Sequence, residues 1–123
     1  MTFAAAKRLL IEHNKLKAGK FDQFRLNRML RGAVCGILGF GGIGGEVGRV
    51  MKALGLRVHA INRRGKTDET VDWIGTSNQL DELLTASDVL IIAVPLTKAT
   101  DRLVGARELG LMKEDAILVN LAR

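Results

Sequence analysis

The chain has 123 residues, 47% of them hydrophobic, which suits one folded domain and argues against a disordered segment. No stretch reaches the roughly 20 apolar residues of a bilayer span, and a single cysteine permits no internal disulfide. The formal charge is +6, yet residues 33–123 balance, so the excess belongs to residues 1–32. There it reads as a solvated face that packs against acidic surface rather than as a nucleic-acid patch. Met1–Arg8 places its charges after its apolar residues and lacks a longer apolar stretch, so no secretory leader is expected and the cytoplasm is the expected setting.

Residues 2–18 are predicted to form one alanine-rich helix with Phe3, Ala6, Leu10 and His13 near one face. Gly19-Lys20 ends it, and a basic connector over 20–32 leads into the first strand. The expected organisation is therefore an N-terminal helix and connector over 1–32, then a nucleotide-binding domain over 33–123. Strand one spans Val34–Gly39, with Cys35 as a small core residue. An amphipathic helix follows over Ile43–Leu54, on the spacing of Ile43, Val47, Val50, Met51 and Leu54. Strand two is Arg57–Asn62, 63–72 is a polar loop, and a short third strand falls within Val71–Thr76. A helix over Asn78–Ala86 precedes Asp88–Val94, whose continuous apolar run fits a strand buried on both faces. Pro95 stops that strand. A turn at Thr97–Thr100, a helix over Gly105–Met112 and a last strand over Ala116–Leu121 complete the pattern.

Strands alternating with helices imply a Rossmann-type α/β fold: a parallel sheet with flanking helices, right-handed crossovers and ligands beyond the carboxyl ends of the strands. Four segments should meet there: Gly39–Gly44, Asn62–Arg64, Val94–Thr97 and Leu121–Arg123. The first reads G-x-G-x-x-G through Gly39, Phe40, Gly41, Gly42, Ile43 and Gly44, between a strand and a helix. Glycines let backbone N–H groups approach a pyrophosphate, and the helix start adds unpaired donors and partial positive charge. At the end of strand two, an acidic residue would accept hydrogen bonds from the adenosine ribose and repel a 2′-phosphate. Asn62 removes that repulsion, and Arg63 and Arg64 follow as phosphate partners, so NADP is favoured over NAD. No metal site is expected.

The segment Val34–Arg123 resembles the NAD-binding domain of D-isomer-specific 2-hydroxyacid dehydrogenases. The resemblance rests on an ordered set of anchors. They are Gly36–Gly44, Leu80–Leu84 before Ser87-Asp88-Val89, Pro95-Leu96-Thr97 with Thr100, Gly105–Leu109, Met112-Lys113 and Leu118–Arg123. It implies hydride transfer between a nicotinamide cofactor and a small 2-keto or 2-hydroxy acid, of the glyoxylate/hydroxypyruvate or phosphoglycerate type. It also implies that Ala93, Val94, Pro95, Thr100, Leu121 and Ala122 flank the cofactor, and that Arg123 is catalytic, holding the substrate carboxylate and carbonyl oxygen. Two departures stand out: Ala93 replaces the family's frequent histidine or aromatic residue, and Asn62 its usual acid. The family's acid/base histidine and its carboxylate partner follow the arginine. His13 and His59 match neither, so the chain is expected to be an incomplete domain of a longer enzyme, inactive alone. Family members dimerise, which makes Phe3–Leu16 a candidate interface in a homodimer; no membrane partner is expected. The alternatives are a dinucleotide-sensing module like the C-terminal-binding-protein corepressors, or a truncated product without function.

Overall fold

Five parallel strands lie in the order β3-β2-β1-β4-β5. They are β1 (Val34–Leu38), β2 (Arg57–Ile61), β3 (Trp73–Gly75), β4 (Val89–Ile92) and β5 (Ile117–Asn120). The computed structural model describes residues 1–21 and 28–122; residues 22–27 of the expected connector and Arg123 lie outside the described residues. Helices α1 (Thr2–Ala6), α2 (Leu9–Lys17), α3 (Gly42–Ala53), α4 (Leu80–Ala86) and α5 (Ala106–Leu111) connect or flank the strands. The strand order changes direction between β1 and β4, the switch point where such sheets open a crevice.

The central strands are short apolar runs buried on both faces, as parallel sheets require. All five residues of β1 are buried, and Val89, Leu90 and Ile91 of β4 are equally covered. Ile37, Val58, Ala60, Val89 and Ile91 form one core layer with Met51 of α3. Leu38, Ile61 and Leu90 form the other with Leu83 and Leu84 of α4. Cys35 sits within the first layer, and burial pushes its thiol up to about 12.

Three expectations are corrected. The single helix over 2–18 is two helices, because Arg8 adopts a left-handed conformation (φ 53°) that breaks the hydrogen-bond ladder. Its supposed face does not hold together either: Ala6 is buried, whereas Leu10 is 79% exposed. In α3 only part of the expected apolar stripe faces the sheet: Met51 is buried and Val47 packs against the core, whereas the rest of the inner face is glycine. Gly44, Gly45, Gly48 and Met51 are buried, while Ile43 is 65% and Val50 55% exposed. A methyl at Gly48 would come within 2.7 Å of the Phe40 ring in the turn and 3.4 Å of Ile37 in β1, so the helix lies too close to strand and turn for side chains there. The short helix over Asn78–Ala86 begins as a 3-10 turn, Ser77–Gln79, in which the Thr76 N–H donates to Gln79 Oε1 at 3.1 Å.

Two aspartates clasp the amino ends of the strands. Asp88 Oδ2 accepts the Val34 N–H of β1 at 2.7 Å, and its Oδ1 accepts from Lys113 Nζ at 2.9 Å and Arg28 Nη2 at 3.1 Å. Asp72 Oδ2 accepts the Val58 N–H of β2 and Lys52 Nζ, each at 2.7 Å. Burial alone would raise the Asp88 carboxyl, but the Val34 amide and the Lys113 and Arg28 cations outweigh it and hold it below its ordinary value. Lys52 and then the Val58 amide do the same for Asp72.

Candidate dinucleotide crevice

The carboxyl ends of the strands are level. Leu38 is in register with Ile61 of β2 and Ile92 of β4, and Ile92 with Asn120 of β5. The first residue of each following loop donates its N–H to the carbonyl that ends a neighbouring strand. Gly39 donates to Ile61 (3.1 Å), Asn62 to Gly75 (3.1 Å), Ala93 to Leu38 (2.8 Å) and Leu121 to Ile92 (2.8 Å). All four expected segments therefore leave the sheet along one edge, for the last as far as Ala122.

The glycine turn is shaped by close approach. Gly39 has φ +99°, and a methyl there would lie 2.8 Å from the Ala93 carbonyl carbon and the Val94 nitrogen. The β1 and β4 loops touch at this point, which is the switch point. A methyl on Gly44 would lie 2.1 Å from the Gly39 carbonyl oxygen, so helix and turn meet backbone to backbone. Gly41 and Gly42 are different: a methyl on either meets nothing within 4 Å, and both are exposed. The Gly41 carbonyl accepts the Gly45 N–H at 2.7 Å, and no side chain caps the start of α3. An uncapped helix start beside an open glycine surface is a ready anion cradle.

Asn62 organises the loop after β2. Its Oδ1 accepts the N–H groups of Arg64 (3.0 Å) and Gly65 (2.7 Å), and its Nδ2 donates to the Lys66 carbonyl at 2.9 Å. That turn leaves Arg63 and Arg64 exposed. After β4, the Thr100 hydroxyl donates to the Pro95 carbonyl at 2.5 Å and accepts the Thr97 N–H at 2.8 Å, which staples the segment Pro95–Thr100 into a compact turn. A cavity of about 280 Å³ opens between the ends of β4 and β5, lined by Val94, Pro95, Thr100 and Ala122 together with Leu38, Asn120 and Arg102. Arg102 was not a sequence candidate. Its left-handed backbone (φ 54°) carries no glycine or asparagine to signal it.

Neither histidine joins the crevice. His59 is central in β2, half-buried, with its ring 5.8 Å from that of Trp73. Burial, then the Arg57 charge, lowers its pKa. His13 is on the exposed surface of α2. Among the described residues, no group of three or more His, Cys, Asp or Glu is placed to hold a metal.

Residues 1–123 match the family model described as D-isomer specific 2-hydroxyacid dehydrogenase, NAD binding domain. The chain belongs to that family. It is 37% identical to a glyoxylate reductase of Thermococcus gammatolerans, over all of this chain and 39% of that protein. Among solved structures, it is similar to a glycerate dehydrogenase related protein from Thermoplasma acidophilum, with TM-score 0.81 and 38% identity over 98% of this chain and 41% of that one. It is also similar to an acyclic imino acid reductase solved with NADPH and D-arginine, with TM-score 0.84 and 26% identity over 100% of this chain and 39% of that one. The chain thus spans about two-fifths of the length of the relatives it matches. The residues present fit a nicotinamide dinucleotide, NAD or NADP. The open Gly41–Gly42 surface and uncapped helix start suit a pyrophosphate, and exposed guanidinium groups stand at the end of β2.

Other anchors of the resemblance take no part in the crevice but hold the fold together. Gly36 and Ser87 pack so closely that a methyl on Gly36 would lie 2.0 Å from Ser87 Oγ, which itself donates to the Leu83 carbonyl at 2.6 Å. Arg107 grips the Asp81 carboxylate with both terminal nitrogens (3.0 and 2.5 Å), and Glu108 Oε2 accepts the Gly105 N–H at 3.0 Å. These contacts join α4 to α5 and cap α5.

Proposed function

We propose that this chain is the dinucleotide-holding part of an oxidoreductase that interconverts a small 2-keto acid and its 2-hydroxy acid, with glyoxylate as the type substrate. The observation that carries the reading is the open glycine cradle at the switch point of the sheet. When bound, the dinucleotide supplies or accepts hydride at the nicotinamide C4. The amides of Gly42 and Ile43 hold the pyrophosphate, and Gly39, Phe40, Gly41 and Gly44 shape the turn. Arg63 and Arg64 pair with a 2′-phosphate, on a turn that Asn62 fixes. Ala93, Val94, Pro95, Leu121 and Ala122 form an apolar wall that excludes water from the nicotinamide side, and Thr100 staples the turn that follows Pro95. Arg123 holds the substrate carboxylate bidentately and stabilises charge developing on the carbonyl oxygen.

The acid/base of the reaction comes from residues beyond this sequence. The support is that His13 and His59 both lie away from the crevice. The exposed Leu9, Leu10, Leu16 and Phe21 near the N-terminus suit a homodimer interface. Among the described residues, no helix is long and apolar enough to cross a membrane, and a cytoplasmic location is part of the proposal.

Titration calorimetry of the 123-residue chain with NADPH and NADH tests the cradle. Binding of at least one is expected, without oxidation of the reduced cofactor on adding glyoxylate. A folded protein giving no heat with either cofactor overturns the reading. Gel filtration across a concentration series tests the dimer.

A further inference from the structure

The loop that presents Arg63 and Arg64 is tied to the helix that opens the glycine cradle. Arg49, in the second turn of α3, donates from Nε to Glu69 Oε2 at 3.2 Å and from Nη2 to Glu69 Oε1 at 3.1 Å. Its third nitrogen, Nη1, lies 2.9 Å from Glu46 Oε1. Three residues further along, Lys52 reaches Asp72 at 2.7 Å. The segment 62–72 is therefore set from within by the Asn62 turn and from outside by two ion pairs to α3.

The fork has an electrostatic effect as well as a mechanical one. Glu69 is on the same loop as Arg63 and Arg64. An unpaired carboxylate there would repel a phosphate that the arginines attract. Bidentate pairing draws the Glu69 charge to α3 and partly offsets it with a guanidinium, shared with Glu46, whose planar geometry fixes the direction of approach.

We propose that Arg49 and Glu69 are positioning residues that bias the crevice toward NADP over NAD by anchoring the acidic limb of the β2–β3 loop to α3 and partly offsetting its charge. This rests on the crevice taking a nicotinamide dinucleotide. Exposed ion pairs contribute little to folding, and Arg49 and Glu69 side chains are 57% and 40% exposed, so their loss leaves the fold intact.

The test is calorimetric affinity for NADPH and NADH in the unmutated protein, in Arg49→Gln and in Arg49→Gln/Glu69→Gln. Arg49→Gln strands the Glu69 charge, and NADPH affinity is expected to fall about fivefold with NADH affinity unchanged. The double variant removes the stranded charge from the loop, leaving only Glu46 on α3, and is expected to recover most of the loss. A purely structural role would move both cofactors together. Equal losses for the two, or an unchanged ratio in Arg49→Gln, overturn the proposal. If the unmutated protein binds neither cofactor, the dinucleotide reading fails first and this proposal falls with it.

Discussion

Gly44 faces the carbonyl oxygen of Gly39 across a gap in which a methyl group would sit 2.1 Å from that oxygen. Backbone on both sides leaves nothing flexible to move. Gly44→Ala should therefore destabilise the protein by about 1–3 kcal/mol, as overpacking does, and denaturant unfolding would show it. Gly42→Ala has open space for its methyl and should leave the unfolding midpoint unchanged. It should nevertheless weaken dinucleotide binding by roughly tenfold, because the methyl projects where the pyrophosphate is to lie. Equal effects of the two substitutions on stability would contradict this division.

Asn62→Asp is the direct probe of cofactor choice. The carboxylate keeps an oxygen for the amides of Arg64 and Gly65 but loses the donor to the Lys66 carbonyl. It also restores the charge that repels a 2′-phosphate. NADPH affinity should fall by about an order of magnitude relative to NADH, read by calorimetry. A ratio that stays constant would mean that the adenosine ribose lies elsewhere.

Acid should loosen the sheet through its two clasps. The carboxyls of Asp72 and Asp88 are both held below the ordinary value of 3.8. A carboxyl depressed by folding adds stability above its unfolded pKa, and that contribution disappears as the pH falls through the folded value. Melting temperature should therefore fall as the pH drops below about 4. Asp88→Asn should lower stability near neutral pH by about 1–3 kcal/mol, since Lys113 loses its charged partner and Arg28 keeps only the exposed Asp115, and should flatten the acid slope. An acid slope as steep as that of the unmutated protein would rule out Asp88 as a contributor.

Cys35 should behave as a core residue. Its thiol is buried, and its pKa, pushed up to about 12, leaves almost no thiolate at neutral pH. A thiol-reactive dye should label it only under unfolding conditions, with one equivalent appearing at the denaturant midpoint. Rapid labelling of the native protein would show that β1 opens.

What the sequence made legible follows from how each signal is written. The apolar runs of β1 and β4, and a glycine motif between a strand and a helix, carry local signatures that survive without neighbours. The sheet-facing side of α3 does not. Hydrophobic periodicity selects Ile43, Val47, Val50, Met51 and Leu54, of which only Met51 and Val47 reach the core, while the rest of the contact surface is Gly44, Gly45 and Gly48. Glycine adds no apolar weight, so a helix packed by close approach hides its inner face. The break at Arg8 was equally silent, because no glycine or proline accompanies its left-handed backbone. The roles of Asp72 and Asp88 depend on strand register, which brings the Val58 and Val34 amides beside them from fourteen and fifty-four residues away in sequence. Asn62 stands out by its position after strand two, but its hydrogen bonds to the loop's own amides depend on how the chain turns there.

Both aspartate clasps lie at the amino pole of the sheet, opposite the rim where the loops open. The carboxylate fastening thus sits behind the frame, while the ligand-facing rim is held by backbone hydrogen bonds and close glycine packing. Exposed rim positions such as Arg63 and Arg64 can exchange to suit a new cofactor while the scaffold beneath them keeps its shape, whereas Gly39 and Gly44 cannot.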